Sequence, residues 1–132
     1  MKNTIATFIF THEQVAICFK KALEKILGRQ DHLYPYTNLV DALPVLVQKI
    51  NADINNLHPD YIVCFVDLAG GSCWNLAKML NKEQKNVTII SGVNMPMLIS
   101  FFTNLNEMPF EELIKKVLID GNRGILHVEG SS

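Results

Sequence analysis

No stretch of this sequence approaches the run of about twenty apolar residues that a membrane-spanning helix requires. It has no block of lysine and arginine either: 12 basic side chains stand against 13 acidic ones, for a net charge of −1. Such a balance leaves no electrostatic footprint for nucleic acid or for an anionic membrane surface. Cysteine is scarce, and Cys18, Cys64 and Cys73 are odd in number, far apart and without a C-x-x-C pair. That is poor material for a disulfide framework or a cysteine-based zinc site. The first ten residues carry one basic side chain and a short apolar run, but Thr11, His12 and Glu13 follow at once, so the pattern of a signal peptide is not met. Repeats, low-complexity tracts and linkers are missing as well. The expectation is one cytoplasmic, soluble domain over residues 1–132.

What is present suits a packed core. The 132 residues are 48% hydrophobic and 19% charged, close to the globular average and far from the composition of disordered chains. Ile5 to Phe10 is short, β-branched and aromatic, and reads as a buried strand. Val15, Cys18, Phe19, Ala22, Leu23, Ile26 and Leu27 then recur at helical spacing until Gly28, the pattern of an amphipathic helix with a glycine stop. His32 to Tyr36 reads as a second strand, and a helix is predicted from about Val40 to Ile54, with Pro44 tolerated near its first turn.

Tyr61 to Val66 is an unbroken apolar run, as expected at the centre of a parallel sheet. Asp67 ends it, and a tight turn through Gly70 and Gly71 leads to Ser72, a candidate N-cap for a helix through Leu80. Val87 to Ile90 predicts a fourth strand, Met97 to Phe102 and Phe110 to Ile119 two helices, and Gly124 to Val128 a terminal strand. Strands alternating with helices predict an α/β fold: a doubly wound, mainly parallel sheet with helices on both faces.

In such a sheet, ligands bind beyond the carboxyl ends of the strands, near the point where the strand order reverses. Three segments fall there: Thr11-His12 after the first strand, Asp67 with Gly70-Gly71-Ser72 after the third, and Gly92-Val93-Asn94 after the fourth. A histidine in that position can be a base, a metal ligand or a nucleophile. His32, His58 and His127 stand on other elements without ligand-like spacing, so no metal is expected. Ser72 lacks the G-x-S-x-G setting of a hydrolase elbow. His12 as a nucleophile remains, with Asp67 able to hold one ring nitrogen as N–H and leave the other unprotonated. Backbone N–H groups at a Gly-Gly turn opening a helix suit an anion such as phosphoryl. Spacing alone leaves a plainer reading open, in which His12 is a loop histidine, Asp67 a helix cap and the glycines turn formers.

Together these segments resemble the enzyme IIA component of the mannose-type (mannose, fructose, sorbose) sugar phosphotransferase system, over essentially the whole chain. The resemblance rests on Thr11-His12, on Phe65-Val66-Asp67 with Gly70-Gly71-Ser72, and on Ser91-Gly92-Val93-Asn94-Met95-Pro96-Met97-Leu98. It implies that His12 accepts phosphate from the histidine-containing phosphocarrier protein and passes it to a sugar-specific IIB protein or domain. It further implies that Asp67 orients His12, that Gly70, Gly71 and Ser72 hold the phosphoryl oxygens and that Thr11 fixes the loop and joins the phosphoryl-binding set. No cofactor is needed, a homodimer is expected, and any link to the membrane is indirect, through the sugar permease. Two departures stand out: Phe10 and Glu13 flank the Thr-His pair where the family usually has glycine, and Cys73 stands where proline is common. Glu13 is expected to point along the first helix, where an acid near the N-terminus is favourable. Two other functions fit a histidine of this kind: a phosphotransfer subunit of a dihydroxyacetone kinase, and a regulatory sensor that keeps its phosphate.

Overall fold

A computed structural model describes residues 3–37 and 42–131. Their contacts divide into two compact units, 1–93 and 94–132. In the first, β1 (Ile5–Thr11), α1 (Val15–Leu27), β2 (Leu33–Thr37), α2 (Leu43–Leu57), β3 (Tyr61–Val66), α3 (Ser72–Glu83) and β4 (Val87–Ser91) alternate along the chain. The four strands form one parallel sheet in the order β2-β1-β3-β4, the α/β architecture expected.

Every residue of β1 is buried, and all but the first of β3, because helices cover the sheet on both faces. Period-two alternation sorts the side chains. Ala6, Phe8 and Phe10, with Ile62, Cys64 and Val66, face a core made with Leu46, Val47, Ile50 and Ile54 of α2 and Leu76, Ala77 and Leu80 of α3. Phe8 and Phe10 are fully enclosed, and each such ring contributes about 1.5–3 kcal/mol. Thr11, one residue out of phase, instead turns its hydroxyl toward the start of α1.

The order of the strands positions the site. From β1 the chain moves outward to β2, then returns to β3 on the opposite side of β1, so the reversal lies between the carboxyl ends of β1 and β3. In register, Phe10 lies beside Val66, so the residues that follow Thr11 and Val66 emerge next to each other.

The second unit is a pair of packed helices, α4 (Met95–Asn104) and α5 (Phe110–Arg123). The Asn94 side-chain oxygen accepts from the Met97 N–H and caps α4, while the Ser100 hydroxyl donates to Asp120 of α5.

Several expectations need correction. The residues 124–128 form no strand: Gly124 continues the helical backbone as the cap of α5, and no ladder partner lies beside the segment among the described residues. Ile125, Leu126 and Val128 are 80%, 84% and 87% exposed. Helix α3 is capped by Gly71 in an extended conformation, and Ser72 is its first helical residue with no side-chain cap. Helix α1 buries Ala16 and Leu23, while Val15, Cys18, Ala22 and Ile26 of the expected apolar face are exposed. The expected start of α2 at Val40 lies outside the described residues. No helix among the described residues is long and apolar enough to cross a membrane.

Candidate functional site

The two loops at the reversal are tied to each other by one oxygen atom. Asp67 Oδ2 accepts from the His12 backbone N–H at 2.8 Å and from the His12 ring at Nδ1 at 2.9 Å. The backbone bond fixes where the ring starts and the side-chain bond fixes how it turns. An ionised carboxylate is acceptor-only, so in the neutral ring the proton sits on Nδ1 and Nε2 carries the lone pair. Burial pushes the Asp67 carboxyl up, but the two His12 N–H donors and the attraction of the ring outweigh it, with a weaker contribution from the Leu68 N–H, and the group stays below its ordinary value. It is therefore ionised wherever the protein works.

Gly71 sits against the ring. A Cβ added there would lie 3.4 Å from Cε1 and 3.7 Å from Nε2 of His12. Any side chain at Gly71 would fill the space beside Nε2 that a group attached to that nitrogen has to occupy. Helix α3 begins at the next residue, and the N–H groups of its first turn have no partner within the helix. A helix N-terminus with free amides is suited to an anion. Gly70 adopts φ +86°, a left-handed conformation that brings the chain round sharply enough to present that helix end.

The remaining expected residues are placed as follows. Ser72 is half-buried in the first turn of α3. Thr11 fixes the loop as expected, its hydroxyl oxygen accepting from the Ala16 N–H at 2.6 Å, but it is 0% exposed and its expected place among the phosphoryl-binding residues is corrected, since it has no surface to offer. Glu13 is also corrected, because α1 starts only at Val15 with Gln14 as its cap, which leaves Glu13 in the turn before the helix at φ +53°. A left-handed backbone is where glycine is favoured. Phe10 does not enter the site, being fully buried in the core on the face of α2 and α3. His32, His58 and His127 are all exposed. Trp74 packs half-buried against the core of the first unit.

The closeness of Cys73 to the ring was not expected, although its sequence reads as a buried thiol at the start of a helix. Cys73 is 3% exposed and its Sγ lies 4.0 Å from His12 Nδ1. Burial and the neighbouring Asp67 carboxylate push its thiol up to about 11, so it is a neutral thiol rather than a nucleophile. Its place in the first turn after a glycine turn was the available signal, since the first turn of α3 faces the histidine.

Similarity to known proteins agrees with this geometry. The family model described as "PTS system fructose IIA component" matches residues 6–118. The "PTS system mannose-specific EIIAB component" of Escherichia coli (strain K12) is 32% identical over 129 residues, covering 92% of this chain and 39% of that protein. The chain thus spans well under half the length of that relative. The "PTS system fructose-specific EIIA component" of Bacillus subtilis (strain 168) is 22% identical over 115 residues, covering 86% of this chain and 79% of that protein. Among solved structures, the phosphotransferase system component EIIA from Streptococcus agalactiae shares the fold with a TM-score of 0.81 at 21% identity, covering 93% of this chain and 96% of that one. The match across residues 6–118, which takes in both loops of the site, means that the chain belongs to the family of the PTS system fructose IIA component.

Proposed function

We propose that this chain carries a phosphoryl group on Nε2 of His12, accepting it from the histidine-containing phosphocarrier protein and passing it to a sugar-specific IIB protein or domain in the cytoplasm. The observation that carries the reading is the double hydrogen bond from His12 to Asp67 Oδ2, at 2.8 and 2.9 Å. It leaves one ring nitrogen unprotonated next to the amide-rich start of α3. Family membership supports a sugar phosphotransferase component over a subunit of a dihydroxyacetone kinase.

The chemistry follows from the parts. The Nε2 lone pair attacks the phosphorus of the donor's phosphohistidine in line with the breaking P–N bond, which returns its electron pair to the donor imidazole. One P–N bond forms as another breaks, and no proton needs to move. Charge spreads over three equatorial oxygens in the transition state, where positioned donors act most strongly. The Gly71, Ser72 and Cys73 N–H groups and the Ser72 hydroxyl fill that role, and the Gly70 turn aims them. Asp67 holds the ring in place before and after transfer, so the step loses little entropy. Thr11 holds the loop and Ala16 together beneath it.

A homodimer belongs to the same proposal. Ile125, Leu126 and Val128 lie exposed in a segment with no strand partner among the described residues, and addition to a sheet edge of a second copy would pair their backbone and cover their side chains.

The test is a labelling chain. Incubation with phosphoenolpyruvate, enzyme I and the phosphocarrier should yield one acid-labile phosphate per chain by mass spectrometry, and adding a IIB protein should remove it. Labelling without discharge to any IIB protein would favour a sensor over a carrier.

A further inference from the structure

We propose that His12, Asp67 and Cys73 form a zinc site that silences the phosphoryl acceptor. Their ligand atoms, a ring nitrogen, a carboxylate oxygen and a thiol sulfur, all lie within 4.8 Å of one another. Nδ1 stands 2.9 Å from Oδ2 and 4.0 Å from Sγ. Tetrahedral zinc, with bonds of about 2.0–2.3 Å, holds such donors roughly 3.3–3.6 Å apart. The nitrogen–oxygen contact must open and the nitrogen–sulfur contact close, each by about half an ångström, and the widest separation, up to 4.8 Å, must close by roughly 1.2–1.5 Å.

A second observation points to a cation. Among the described residues Asp67 Oδ1 is buried and accepts no hydrogen bond of ordinary geometry, although its sister oxygen accepts two. A buried, unsatisfied carboxylate oxygen is costly, and a metal ion bound through Oδ1, with Oδ2 left to the His12 backbone N–H, would satisfy it. Imidazole with thiolate and a single carboxylate is a borderline-soft set, which selects zinc over magnesium or calcium. The three protein ligands leave a fourth position for water.

Binding would rearrange protons in a defined way. The metal takes the Nδ1 lone pair, so the ring proton leaves Nδ1 and the neutral ring carries it on Nε2 instead. The Cys73 thiol loses its proton to solvent as the sulfur–zinc bond forms, a net release of one proton per zinc. Because the thiol is held protonated by burial, the metal competes with that proton and binds more weakly than it would to a preformed thiolate. Metal binding requires nothing of the carrier reading. The silencing does rest on it: with Nε2 protonated, the nitrogen that would attack phosphorus has no free lone pair.

The test starts with the unphosphorylated wild-type protein and zinc alone. Calorimetry should give one zinc per chain, and cobalt in its place should show the sulfur-to-metal charge-transfer band of a thiolate ligand. Cys73→Ala and His12→Ala should each weaken zinc binding tenfold or more, and nitrogen NMR of the wild type should show the ring proton moving from Nδ1 to Nε2. A cobalt spectrum without that band, or zinc affinity unchanged in either variant, overturns the site. If Cys73→Ala unfolds, Cys73→Ser serves, and His12→Ala at the half-exposed ring reads the same site independently. Labelling by the phosphocarrier is then measured in wild type with and without zinc. Labelling that persists at saturating zinc overturns the silencing. Failure to label even in chelator, with the cobalt band present, counts against the carrier reading and leaves the metal site standing.

Discussion

The loops after β1 and β3 solve one geometric problem with different residues. Between Thr11 and Val15 the chain turns in three residues without a glycine, and Glu13 takes φ +53°. Between Val66 and Ser72 it turns in five, and the left-handed position is Gly70 at φ +86°. The second loop adopts its shape at no steric cost. The first is held in a conformation that non-glycine residues disfavour by roughly 1–2 kcal/mol, through the Asp67 bond to the His12 N–H and the Thr11 bond to the Ala16 N–H. Strain thus collects next to the proposed nucleophile, while the loop that supplies the carboxylate and the anion-facing amides is relaxed.

The largest expected effect removes the nucleophile from the first loop. His12→Ala should abolish acid-labile labelling while circular dichroism stays native, because a half-exposed ring at a strand end adds little to the core. The single substitutions of His32, His58 and His127 should leave labelling intact, and loss of signal in any of them would move the site.

Next comes the anchor in the second loop. Asp67→Asn preserves the shape but can present an amide N–H to Nδ1, which allows the wrong tautomer, so transfer should slow by orders of magnitude, roughly 10⁴-fold where an equivalent change has been made in a hydrolytic triad. A rate within about twofold of wild type would show that the tautomer is set by something else.

The two left-handed positions give the smaller effects, and these bear on the comparison itself. Gly70→Ala meets no atom within 4 Å, so its cost is purely conformational and should be about 1 kcal/mol in a denaturant titration. At Glu13 the informative pair is Glu13→Gly against Glu13→Ala, since both delete the same side chain and differ in the backbone. The glycine variant should be the more stable by up to about 1 kcal/mol. Equal stabilities would mean that the first loop stores no strain, and the contrast between the loops would vanish.

How much of this was legible in the sequence depended on what each signal measures. Tyr61 to Val66 was read with its observed bounds because an unbroken β-branched and aromatic run is buried on both faces whatever surrounds it. The apolar stripe of α1 correctly announced a helix but misjudged its buried face: periodicity reports that a side of the helix is greasy, and the packing of neighbours decides which residues are covered. Gly124 to Val128 failed as a strand for a related reason, since a short apolar run can propose a strand but only a partner edge completes one. Within the site, His12 and Asp67 were readable together because both follow parallel strands at a reversal. Thr11 is buried because β1 runs one residue past Phe10 and both faces of that strand are covered, and its position beside His12 outweighed this in the sequence reading. Cys73, 61 residues from His12, offers only its place in the first turn after the glycine turn, and the fold brings its sulfur to the ring.

The central claim is that Asp67 leaves Nε2 of His12 as the accepting atom. Nitrogen-15 NMR of protein labelled at histidine and phosphorylated by the phosphocarrier tests it directly, because the two ring nitrogens of a phosphohistidine are resolved. The account expects a single phosphohistidine, at residue 12, with phosphorus on Nε2 and the proton retained on Nδ1. Phosphorus on Nδ1, or on any other residue, would contradict it.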